Sequence, residues 1–122
     1  MAQNSFNVNN AAGSAVSFSL QSQDSKEARY INTATSLAAP QACIISHDIK
    51  PNGVKGTDKH IIRFSTTVVD ALGAQQTVIA SLMLSVCRSS SITDTMCKDV
   101  AAFVRNFAAD AVVLQLVDGI TP

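Results

Sequence analysis

The chain has 122 residues, nine basic and nine acidic side chains, a formal charge of zero, and 47% hydrophobic but only 5% aromatic residues. That length suits one domain with one ordinary core, and the balanced charge excludes a strong overall field for polyanions or anionic membranes, so any nucleic-acid binding must come from local placement of cations. The start "MAQNSFNVNN" lacks the basic and apolar regions of a secretion signal, and no apolar run approaches the length of a bilayer span, so a soluble intracellular protein with no membrane partner is expected.

In "SFNVNNAAGSAVSFSLQ", Phe6 and Val8, then Val16, Phe18 and Leu20, alternate on either side of a polar turn containing Gly13, which predicts a β-hairpin over about residues 5–21. The stretch "SQDSKEARYINTATSLAAPQ" offers one short strand at 28–34, and Pro40 argues for a loop before the next element. "ACIISHDIK" and "KHIIRFSTTVVD" predict two stronger strands separated by the turn "PNGVKGT". After the short reversal "ALGAQ", residues 77–87 place Val78, Ala80, Leu82, Leu84 and Val86 at period two, as a strand with one dry face requires.

The hydroxyls of "SSSITD" mark a helix start. Ser91 or Thr93 can accept bonds from the orphan N–H groups of a first turn, and Asp94 suits both a capping box with Ser91 and the positive helix end, so the helix should begin between Ile92 and Asp94. From there Met96, Val100, Phe103, Val104, Phe107, Ala111 and Leu114 form a helical stripe, in one helix or in two broken near Asp110, ending by Gly119.

The order predicts a single α+β domain, with sheet strands over about residues 28–88 and helices over about 93–118. Burying Val100, Phe103, Val104 and Phe107 would contribute roughly 1.5–3 kcal/mol each, so they cannot stay in water. A terminal helix of about 15 to 25 residues, rising 1.5 Å each, is too short to cover a whole sheet alone. Two chains that join edge strands and exchange helices solve both problems, and an interlocked dimer is predicted.

Alternation also defines an opposite, polar face. Ser46, Asp48 and Lys50 share it on one strand, Lys59, Arg63 and Ser65 on the next, and Ser81, Met83 and Ser85 on the last. Short hydroxyls with a few cations on a wide platform suit phosphates and splayed bases. Cys43, Cys87 and Cys97 lack CxxC spacing and are expected to be reduced, buried thiols. His47 and His60 fall on apolar sides, where packed, hydrogen-bonded side chains are expected and not metal ligands. No nucleophile elbow, Gly-rich phosphate loop or HExxH is present, and Asp48, Asp58 and Asp70 show no sign of a shared apolar pocket, so neither an enzyme nor a cofactor is expected. The rival class, a small dimeric α+β ligand-binding or enzymatic domain, would need a closed cleft under the helix.

In the order of its N-terminal hairpin, "ACIISHDIKPNGVKGTDKHIIRFSTTVVD", "ALGAQ", "QTVIASLMLSVCR" and "ITDTMCKDVAAFVRNFAADAVVLQLVDG", the chain resembles coat proteins of single-stranded RNA bacteriophages, the levivirus group. The resemblance covers nearly the full chain and rests on element order. It implies an N-terminal hairpin, a five-stranded antiparallel sheet and C-terminal helices lying across a partner's sheet. It further implies dimers that build an icosahedral shell around genomic RNA, in the virion and, during assembly, in the host cytoplasm. Known members also bind an RNA hairpin that represses replicase translation. Carried onto this chain, the RNA-contacting set is Ser46, Lys50, Lys59, Arg63, Ser65, Ser81 and Ser85, with Leu72, Gly73 and Ala74 in an inter-dimer loop that is shorter than in familiar members. Where those members stack a base on a sheet tyrosine, this chain has only Ser81, Met83 and Ser85.

Overall fold

A computed structural model describes residues 4–51, 53 and 55–121. Its strands are β1 (Ser5–Asn9), β2 (Ala15–Gln23), β3 (Glu27–Ile31), β4 (Gln41–Asp48), β5 (Thr57–Val69) and β6 (Gln75–Cys87), followed by helices α1 (Asp94–Phe107) and α2 (Asp110–Val117). Each strand pairs antiparallel with the next, giving one six-stranded sheet in sequence order. The expected division into a hairpin and a separate five-stranded sheet is therefore corrected. β2 runs on to Gln23 and pairs its second edge with β3, across a register shift between Leu20 and Ser22 that bends the sheet.

The turns follow from short polar side chains. Asp24 Oδ1 accepts the Lys26 and Glu27 N–H groups, each at 2.8 Å, and so closes β2 onto β3. β3 stops at Ile31, short of the expected residue 34, because Asn32 folds the backbone into a turn in which its Oδ1 accepts the Ala34 N–H at 3.0 Å. The β1–β2 and β5–β6 turns share one design: Asn10 Oδ1 accepts the N–H groups of Ala12 and Ser14, and Asp70 Oδ1 those of Leu72 and Ala74. In both, a glycine with positive φ, Gly13 at 85° and Gly73 at 81°, turns the chain back.

Thr93 is the N-cap of α1, its Oγ1 accepting the Met96 N–H at 3.2 Å, so the cap falls on Thr93 and the Ser91 capping box does not form. The helix breaks at Ala108 and Ala109, and α2 leaves at 72° to α1 with Asp110 in its first turn. Among the described residues, no single helix is long and apolar enough to cross a membrane.

The core sits beneath the hairpin. Phe18, Tyr30 and Cys43 are buried, with Phe6, Leu20, Ile45 and Phe64 packed around them. The Phe18 and Phe64 ring centres are 5.5 Å apart, although three strand spacings in a flat sheet would separate their backbones by about 14 Å, so the sheet curls toward its apolar side. Farther along, that side is bare: α1 half-covers Leu82, Leu84 and Val86, but Val78 is 75% exposed. Phe103 and Phe107 are 70% and 63% exposed, and Val100 and Val104 also face solvent, so within one chain this stripe packs no core.

Candidate nucleic-acid interface

Strand pairing sorts the side chains into two faces. Cys43 opposite Phe64, Ile45 opposite Ile62 and His47 opposite His60 lie on the apolar side, which leaves the residues between them on the other. Of the expected RNA-contacting set, Ser46, Lys59, Arg63, Ser65, Ser81 and Ser85 fall together on that second face. Arg63 is opposite Ile44 on one side and Ser81 on the other, and its Nε donates to Ser81 Oγ at a long 3.5 Å. Lys59 lies between Asp48 and Ser85. Thr67 and Thr77 add a hydroxyl pair at 2.9 Å.

Lys50 does not join them. β4 ends at Asp48, and Lys50 belongs to a clasp at the sheet's end: its N–H donates to Asp58 Oδ1 at 2.8 Å, and its carbonyl accepts a bond from Arg88 Nη2. Arg88 Nε reaches both Asp58 oxygens at 3.2 Å, and its Nη1 donates to the Pro51 carbonyl at 2.8 Å. The Lys50 N–H and then the Arg88 guanidinium hold the Asp58 carboxyl below its ordinary value. Lys50 Nζ is 3.9 Å from Asp48, a partly exposed pair of little energetic weight. Alternation across "SHDIK" could not reveal that the strand ends two residues before Lys50.

Arg29 was missed. It lies on the same face, paired with Ile44 and hence in line with Arg63, and its Nε donates to Gln21 Oε1 at 2.8 Å. The signal was present in "EARYI", where Ala28 and Tyr30 take the apolar side, but it needs the β3–β4 register to become visible. Tyr30 itself is 3% exposed in the core, with its ring centre 4.8 Å from that of Phe6, so this face offers no tyrosine, and Met83, between Ser81 and Ser85, is one of its exposed apolar side chains together with Ile79.

The apolar side carries the histidines. His47 and His60 Nδ1 are 2.8 Å apart, hydrogen-bonded as expected, but His47 is exposed and no core position. With Ile45, Ile62, Leu82, Leu84 and Ala101 they border a cavity of about 290 Å³ between α1 and the sheet. Among the described residues, no group of three or more His, Cys, Asp or Glu could hold a metal ion. All three cysteines are free, but only Cys43 is buried, its thiol pushed up to about 11 by burial; Cys87 is exposed and Cys97 half-buried, against expectation. Leu72, at the tip of the β5–β6 turn with Gly73 and Ala74, is 94% exposed.

No protein-family model and no curated protein matches the chain. Solved structures do. It is similar along its whole length to a subunit of the virus-like particle of Beihai levi-like virus 21, at 14% identity with a TM-score of 0.71, covering 98% of that chain. A subunit of the virus-like particle of bacteriophage AVE019 matches at 12% identity and a TM-score of 0.68, covering 100% of this chain and 99% of that one. One from bacteriophage ESE020 matches at 11% and 0.70, covering 98% of each chain. The chain thus has the fold of these particle subunits, which is the levivirus coat-like fold that the resemblance implied.

Proposed function

We propose that this chain is a viral coat protein whose copies interlock as dimers, close into an icosahedral shell and package single-stranded genomic RNA against the polar sheet face. The observation that carries this reading is the full-length likeness to subunits of three virus-like particles. The dimer is supported by Val100, Phe103, Val104 and Phe107, an apolar helical stripe left in solvent beside a half-bare apolar sheet. Leaving such a surface open is unfavourable, and a second copy offers both a sheet for the helices and helices for the sheet.

RNA binding is supported by Lys59 and Arg63 among the hydroxyls of Ser46, Ser65, Ser81 and Ser85, on a face open enough for a splayed strand. A hairpin operator, with translational repression as its consequence, belongs to the same reading, with Ser81, Met83 and Ser85 on the strand where known levivirus coat proteins carry a tyrosine. The turn of Leu72, Gly73 and Ala74 serves contacts between dimers, as does the loop "PNGVKG", of which residues 52 and 54 lie outside the described residues. The protein works by binding and assembly, in the virion and, before that, in the host cytoplasm.

The test is negative-stain electron microscopy of the protein expressed alone in bacteria, with absorbance at 260 and 280 nm taken on the same large-particle fraction. Uniform spheres carrying nucleic acid are expected. Small particles free of nucleic acid as the only product would overturn the coat reading.

A further inference from the structure

The polar face is not uniformly basic. Strand pairing lays its residues out in lines across the sheet, and each line has its own charge. One runs Asp48, Lys59, Ser85, and its cation stands directly opposite a carboxylate. The next runs Glu27, Ser46, Ile61, Met83 and has a carboxylate without a cation. The third runs Arg29, Ile44, Arg63, Ser81, with two guanidinium groups and no acid. Beyond it, Ile31, Ala42, Ser65 and Ile79 form an uncharged line.

We propose that Arg29 and Arg63 together form the phosphate track of this face, so that an RNA strand crosses β3 to β6 along their line. This rests on the RNA-binding reading above and adds to it a residue and a direction. Successive lines on one face are about 6.6 Å apart along the strands, so Asp48 lies about 13 Å from the track, beyond the screening length of about 8 Å at physiological salt. Glu27 is one line away and exposed at the start of β3, where it sets an edge to the track. Lys59, by contrast, has a carboxylate directly opposite it in the register, that of Asp48, which also lies 3.9 Å from Lys50 Nζ.

Arg29 is built for the task. It is half-buried, and Gln21 holds its Nε at 2.8 Å, while no other hydrogen bond engages its guanidinium among the described residues. A fork fixed by its stem, with its Nη groups available, suits bidentate contact with a phosphate. Arg63 stands two strand spacings away, about 10 Å across the sheet, with Ile44 between them. Exposed Met83 and half-buried Ile61, one line over, give the bases an apolar surface beside the track.

The measurement is fluorescence anisotropy of a short labelled oligouridylate with the full-length protein, across a series of potassium chloride concentrations. Each phosphate contact on a single strand contributes about 0.7 to the slope of log affinity against log salt. Arg29→Gln and Arg63→Gln should each reduce the slope by about that amount and the double variant by about twice it, whereas Lys59→Gln should change it by less than half as much. Arg29→Lys keeps the charge and should restore the slope with weaker binding. Gln21→Ala should lower affinity at an unchanged slope, as loss of positioning would. A wild-type slope in Arg29→Gln beside a reduced one in Arg63→Gln overturns the track and leaves the RNA-binding reading standing. Wild-type protein with no salt-dependent binding overturns both.

Discussion

Replacing Phe103 by alanine separates a chain that stands alone from one that is half of an interlocked pair. In the single chain the side chain is 70% exposed, so its removal there should change stability by no more than about 0.5 kcal/mol, as at other surface positions. If a second copy covers it, the outcome differs. A phenylalanine buries about 150–250 Å², and covering the exposed share at about 25 cal/mol per Å² contributes about 3 kcal/mol, an upper estimate. Two-fold symmetry counts the loss twice, so the dimer should weaken by about 6 kcal/mol, or roughly four orders of magnitude in its dissociation constant. Native mass spectrometry and thermal melts over a protein dilution series, on RNA-free protein, read this directly, because the melting point of an obligate dimer depends on concentration. A Phe103→Ala protein that dimerises and melts like the wild type would refute the idea that this helix face is covered.

Carboxylates held by N–H groups give the fold its acid limit. The Asp70 carboxyl is held below its ordinary value first by the Ala74 N–H and then by the Gln76 side chain and Leu72 N–H, Asp24 by the N–H groups of Lys26 and Glu27, and Asp58 by the Lys50 N–H and Arg88. A lowered folded value stabilises above the ordinary carboxylate range and is lost as pH falls through it, so melting points should drop below about pH 4, and less steeply in Asp58→Asn and Asp70→Asn. Gly73→Ala meets no atom within 4 Å but must adopt φ of 81°, so it should lower stability by about 1 kcal/mol in chemical denaturation, through the backbone alone. With iodoacetamide at neutral pH, mass spectrometry should find Cys87 labelled and Cys43 untouched, since burial pushes the Cys43 thiol up to about 11 and denies access.

The strong strands and the helix start were legible because period-two alternation and a hydroxyl cap act over a few neighbouring residues. Thr93 caps the helix within the expected window, and Ser46, Lys59, Arg63, Ser65, Ser81 and Ser85 share one face as alternation required. What stayed hidden depends on contacts between segments distant in sequence. Arg29 joins the face only through the β3–β4 register, and Lys50 leaves it because Arg88, 38 residues on, grips its carbonyl. The six-stranded count likewise depends on the bulge between Leu20 and Ser22, a bend that alternation within β2 does not announce. Cys87 is exposed because it falls on the polar face, in step with Ser85 and opposite Thr57, while Cys97 sits half-buried on α1.

Tyr30 is the chain's single tyrosine, and there is no tryptophan. Its ring is buried against Phe6, beneath the hairpin and away from both the helices and the cationic face. Its emission and near-ultraviolet circular dichroism therefore form a built-in optical probe of one event, the seating of the hairpin on the sheet. Helix exchange and ligand capture would leave that signal nearly unchanged. The same scarcity of chromophores makes the chain almost transparent at 280 nm, so even a small amount of captured nucleic acid would dominate a particle's absorbance spectrum.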